Sequence, residues 1–121
     1  MSQSTYLCIP TAMTGFKFNK STKKWYQTQF DAEGRKFTLS KSTDGEWKWR
    51  NLAYENVFTK CSNFNDSGSL FCNNIYDVVF NKKNMRYQLY YPFGYINGGL
   101  DNSKEGEDSP AIEIGKCSPI N

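Results

Sequence analysis

The sequence contains no histidine. That absence removes the commonest general acid–base group, and with it the usual serine and cysteine triads. Glycine-rich phosphate loops, Walker patterns and dinucleotide fingerprints are missing as well. No Cys-x-x-Cys occurs, so a zinc site would need all four cysteines at irregular spacing, and neither metal nor cofactor is expected. No apolar run approaches the ~20 residues of a membrane helix, and residues 1–5 do not read as an export leader. Paired carboxylates remain an option for glycoside chemistry. Asp31, Glu33, Asp44 and Glu46, however, fall at turns or on polar strand faces. The expectation is a protein that is not an enzyme.

Leu, Ile, Val and Ala are sparse, whereas Phe, Tyr and Trp make up 17% of the 121 residues, enough to build a core where aliphatics are few. Aromatic side chains suit a pleated, half-buried surface and bury roughly 150–250 Å² each. The length fits one β domain over 1–121. Period-two alternation recurs and helical signals are nearly absent. Strands are read at 15–19, 25–30, 36–40, 46–50, 57–64, 69–73, 76–80, 85–91 and 111–116, with 93–96 as an extension of one strand or the start of another. Asp44-Gly45 and Asn65-Asp66-Ser67-Gly68 supply turn signals. Alternation assigns Trp47, Trp49, Tyr87, Leu89 and Tyr91 to the core and Tyr90 to the opposite face. The expected fold is all-β: an antiparallel meander of about eight strands, a small barrel or two-sheet sandwich, its last strand returning beside the first.

One internal echo stands out. Phe18-Asn19-Lys20-Ser21-Thr22-Lys23-Lys24-Trp25 and Phe80-Asn81-Lys82-Lys83-Asn84-Met85-Arg86-Tyr87 share Phe-Asn-Lys, a basic stretch and an aromatic seven residues on. Both read as hairpins with facing rings and a polar turn opened by Asn-Lys. Residues 97–110 break the pattern with glycine and polar residues, and are expected to form a long exposed polar loop. Asp101, Glu105, Glu107 and Asp108 lie in it without meeting the calcium-loop spacing.

Four cysteines in a short, loop-rich chain suggest a disulfide framework with three possible connectivities. Cys8 and Cys117 lie near the two ends, and Cys61 and Cys72 flank the Asn65–Gly68 turn, which favours 8–117 with 61–72. Disulfides in turn favour an oxidising compartment. Charge is uneven: residues 1–60 hold ten Lys/Arg against five Asp/Glu, and residues 61–121 five against seven. A candidate binding surface combines Tyr26, Tyr90, Phe93 and Tyr95 with Lys23, Lys24, Lys48, Arg50 and Arg86, since tyrosine and arginine are enriched at protein hot spots. Rings beside cations also suit single-stranded nucleic acid, but a net charge of +3 falls short of that profile.

Cys8-Ile9-Pro10 with Thr14-Gly15-Phe16-Lys17-Phe18-Asn19 and Trp25 forms the first of three familiar stretches. Cys61, Phe64-Asn65-Asp66, Gly68 and Leu70-Phe71-Cys72 form the second; Tyr91, Gly94-Tyr95 and Ile112-Glu113-Ile114-Gly115-Lys116-Cys117 the third. Together they resemble an uncharacterised family of short bacterial and phage proteins, and the resemblance implies export without implying an activity. Tyr6-Leu7-Cys8 near the start, with a cysteine near the end, is more loosely similar to the periplasmic c-type lysozyme inhibitors, which are compact β-barrels. The functional expectation is a secreted or periplasmic binding module for another protein, acting as an inhibitor. The alternatives are a small-ligand-binding barrel, and a cytosolic phage-type protein that binds nucleic acid or a host defence factor.

Overall fold

A computed structural model describes residues 5–54, 57–74, 76–98 and 105–120. Nine antiparallel strands run in chain order: β1 (Thr5–Asn19), β2 (Lys24–Phe30), β3 (Phe37–Lys41), β4 (Trp47–Asn51), β5 (Phe58–Cys61), β6 (Ser69–Asn73), β7 (Asp77–Asn81), β8 (Arg86–Tyr91) and β9 (Ala111–Ile120). A single helical turn, α1 (Tyr95–Gly98), sits between β8 and β9. Eight strands close a barrel in the order β1-β3-β4-β5-β6-β7-β8-β9, with β9 returning onto β1; β2 pairs only with the distal half of β1, outside the ring. Between barrel and sandwich, the chain adopts the barrel. Among the described residues no helix is long and apolar enough to cross a membrane.

The two echo segments form the same hairpin. In each, the asparagine carbonyl accepts from the backbone N–H four residues on, Lys23 to Asn19 at 2.7 Å and Met85 to Asn81 at 2.8 Å. The donor residue takes a left-handed backbone in both, with φ 59° at Lys23 and at Met85. Asn19 Oδ1 accepts from the N–H groups of Ser21 and Thr22, and Asn81 Oδ1 from that of Lys83. The facing rings are direct cross-strand partners, Phe18 with Trp25 and Phe80 with Tyr87.

Both disulfides join residues directly opposite on neighbouring strands, Cys8 to Cys117 across β1–β9 and Cys61 to Cys72 across β5–β6. The first lies inside the longest seam of the ring, where pairing runs from Thr5↔Ile120 to Gly15↔Ala111. The second holds the thinnest seam, where Cys61↔Cys72 is the single ladder pair. Ser62 extends that contact by donating its N–H to the Phe71 carbonyl at 2.8 Å and accepting the Phe71 N–H on Oγ.

The interior is filled by side chains. Phe37, Leu39, Trp49, Leu70, Val78, Phe80, Tyr87, Leu89 and the Cys8–Cys117 bridge are buried at its centre. Trp49 stacks on Phe37 and meets Tyr87, each at 5.1 Å between ring centroids. Tyr6, Trp47, Phe64 and Phe80 close one end with tilted and edge-on ring contacts. Such pairs add ~0.5–1.5 kcal/mol each beyond burial, so a core short of aliphatics still packs.

Two strands extend beyond the sequence reading. β1 begins at Thr5, ten residues before the first alternation, because a register irregularity between Pro10 and Ala12 breaks the period. β9 continues to Ile120. Residues 93–96 do not extend β8: Pro92 and a left-handed Gly94 (φ 125°) turn the chain into α1, and a Cβ on Gly94 would strike the Asp108 backbone. Of the segment 97–110, residues 99–104, including Asp101, lie outside the described residues. Its end is anchored on the β1–β2 hairpin. Glu105 accepts from Trp25 Nε1 at 2.7 Å, Gly106 abuts the Phe18 ring, and the Pro110 carbonyl accepts from Phe16 N–H at 3.0 Å.

Candidate binding surfaces

Strand β9 has an unexpected phase. Ile112-Glu113-Ile114 would ordinarily place its isoleucines inward, yet Glu113 is fully buried while Ile112 and Ile114 lie outside. Cys117 explains the inversion. It must face Cys8 in the interior, and Gly115 and Glu113 share its parity. Gly115 is required there, because a Cβ would run into the Tyr87 ring and the Ile9 carbonyl.

The buried Glu113 carboxylate is held by two charge-assisted bonds. Arg35 Nε donates to Oε1 and the Tyr87 hydroxyl to Oε2, each at 2.7 Å. Burial, and then the Glu113 charge, push the Tyr87 hydroxyl well above its ordinary range. Burial also raises Tyr76, whose hydroxyl lies beside Thr59 and Trp49. Next to this network a recess of about 320 Å³ opens at the barrel end, walled by Met13, Phe30, Arg35, Tyr76, Leu89 and Tyr91. A small amphipathic molecule would fit the recess, whereas the packed centre leaves no room for one.

The outer surface carries the second feature. Cross-strand register aligns Phe71, Val79, Gln88, Ile114 and Ala12 in one row over β6-β7-β8-β9-β1. Tyr90 and Ile112 are direct partners in the adjoining row, with Asp77 and Asn73 beyond them. Ile9 lies on the other side, opposite Lys116. Phe71 is 51% exposed and Ile114 48%, at positions where a half-buried strand ordinarily shows polar residues to water. Arg86 and Lys116 sit directly opposite each other along this band, and neither has an acidic partner among the described residues. Like charges so placed are destabilising, by some tenths of a kcal/mol.

The nine residues expected to form one binding surface fall in four places. Lys23, Lys24 and Tyr26 lie on the β1–β2 hairpin, where Tyr95 joins them by packing edge-on against Trp25 at 5.5 Å. Phe93 packs against Tyr91 at the end of β8. Lys48 and Arg50 are on β4, with three strands between it and β8, and their charges lie over the Phe58 ring at 4.7 and 5.3 Å. Lys48 also pairs with Asp44 at 2.9 Å, and that bond holds the Asp44 carboxyl below its ordinary range. Arg86 and Tyr90 alone lie on the apolar outer band. Sequence reasoning missed Phe71, Val79, Ile112, Ile114 and Glu113. The parity of Cys117 was the available signal for β9, and Val78-Val79-Phe80, apolar on both faces, for β7.

No protein-family model, curated protein or solved structure matches this chain.

Proposed function

We propose that this protein is an exported, non-enzymatic binding module whose β6–β9 outer face covers an acidic site on a protein partner, in the manner of an inhibitor. The observation that carries this reading is the outer band itself: Phe71, Val79, Tyr90, Ile112 and Ile114 exposed together beside the uncompensated Arg86–Lys116 pair. Contiguous apolar surface rimmed by charge marks interaction sites on soluble domains. An acidic partner would relieve the repulsion between the two cations, so the pair contributes to recognition what it costs in the free protein. Two disulfides support the assignment to an oxidising compartment.

The test compares wild type with Ile114→Asp and Arg86→Glu, using Lys41→Glu on β3, across the ring from the band, as a control. Each is immobilised and exposed to periplasmic and secreted hydrolases sorted by net charge, and both binding and enzyme turnover are recorded. Acidic targets should be bound and inhibited by wild type and the control but not by the two band variants, with affinity falling as salt rises. Equal behaviour of all four proteins would refute the proposal.

The recess at the barrel end favours small-ligand binding as a second reading. Arg35 offers a guanidinium fixed through Nε, beside the apolar walls of Met13, Phe30 and Leu89. Thermal stabilisation by a phenyl-substituted carboxylate, lost in Arg35→Met, would raise that reading above the first.

A further inference from the structure

Among the described strands, β2 alone has a partner on one side only. β2 bonds to β1 along one side, and no described strand pairs with the other. Seven residues, Lys24–Phe30, therefore present a row of backbone donors and acceptors to whatever lies beside them. Natural edges are usually blunted by proline, bulges, inward-pointing charge or brevity. This one has no proline and no acidic residue, pairs with β1 without a register shift, and carries one charge, Lys24, at its first position.

We infer that this edge is a self-association surface: two copies of the chain pair β2 to β2 antiparallel about a two-fold axis at Gln27. That register overlaps all seven residues. It sets Tyr26 against Thr28 of the second copy, Trp25 against Gln29 and Lys24 against Phe30, so no like charges meet. Just beyond the strand ends it brings the turn residue Lys23 near Asp31 of the second copy, and symmetry makes the contact twice. Lys23 and Asp31 are exposed, and neither forms an ion pair within the described chain. Lys20 and Lys24 add positive charge to the hairpin tip, and Glu33 adds negative charge to the β2–β3 connection. The two ends of the edge are thus complementary in the antiparallel arrangement and would clash in a parallel one. An isologous pairing of this kind closes on itself and stops at two copies.

Sedimentation velocity on the full chain, from micromolar to near-millimolar concentration, should show a species of twice the 14.0 kDa monomer mass growing in with concentration. Lys23→Glu should weaken the association about tenfold, and adding Asp31→Lys in the same chain should restore it, since the swap reverses both contacts. Gln27→Cys should form a covalent dimer on mild oxidation, because residues paired on the axis have Cβ atoms about 4.5–5.5 Å apart. Lys60→Cys, on β5, should not. A monomer at every concentration, or a dimer indifferent to the charge swap and uncrosslinked at Gln27→Cys, would overturn the inference. Because Lys23 and Gln27 are exposed, loss of folding does not confound either variant, and unchanged circular dichroism checks this directly.

Discussion

Removing the two disulfides one at a time separates chain entropy from local packing. Cys8–Cys117 spans 109 residues and Cys61–Cys72 spans 11. In the loop-closure model these separations correspond to about 4.8 and about 2.8 kcal/mol at room temperature, a gap of roughly 2 kcal/mol. Local structure would order them the other way. The β1–β9 seam keeps a long ladder without its bridge, whereas β5–β6 has Cys61↔Cys72 as its single ladder pair. Cys8→Ala/Cys117→Ala and Cys61→Ala/Cys72→Ala would each be unfolded in urea, with stability taken from the linear extrapolation. The long-loop variant is expected to lose more, by about 2 kcal/mol. Small domains hold ~5–15 kcal/mol in all, so it would sit near the limit of folding. Greater loss in the Cys61/Cys72 variant would refute the entropic reasoning and make the thin seam the determinant of stability.

Alkaline pH should unfold the barrel steeply. Tyr87 and Tyr76 have folded-state values raised above the ordinary 10.0, so the native state retains protons that the unfolded chain releases. The Tyr87 contribution is fully present below pH 10 and lost above it, at ~1.4 kcal/mol per pH unit, and Tyr76 acts in the same direction. Urea midpoints measured from pH 8 to 11 should fall accordingly, and Tyr87→Phe should reduce the slope by one such increment; an unchanged slope would contradict the assignment. Gly115→Ala forces a methyl into the Tyr87 ring and should cost at least about 2 kcal/mol in thermal denaturation. Asn81→Ala should destabilise more than Asn19→Ala, by about 1 kcal/mol. The reason is that Asn81 Nδ2 also donates to Ser67 and Ser69 across the β6–β7 junction, and paired urea titrations would show it.

Much of the fold was legible because its local signals agree. Each echo hairpin combines facing rings, an asparagine that caps the turn and a polar loop, and these need no tertiary context. Both disulfides followed from cysteine placement alone. What escaped depends on partners distant in sequence. The first half of β1 reads poorly because Pro10 and the neighbouring irregularity shift its phase, and the strand is held by pairing with β9 a hundred residues away. The inward Glu113 violates hydrophobic patterning and is permitted only because Arg35 and Tyr87 converge on it. The outer band is apolar on strands that are apolar on both faces, so alternation could not say which face was core. The expected basic-aromatic surface dispersed because a closed ring sends β4 and β8 outward in different directions.

The pairing of Thr5 with Ile120 has an architectural consequence. Chain enters and leaves the barrel at one point, side by side on neighbouring strands, with the Cys8–Cys117 bridge three residues inside. A unit built this way can be spliced into a surface loop of another protein without stretching its host, and a short linker across those ends would permit circular permutation. New termini would be best opened at the Asp44-Gly45 turn, where the chain is exposed and a Cβ on Gly45 meets nothing within 4 Å. The barrel is thus a portable cassette, and its apolar outer face on β6–β9 lies on strands that such an insertion would leave uncut.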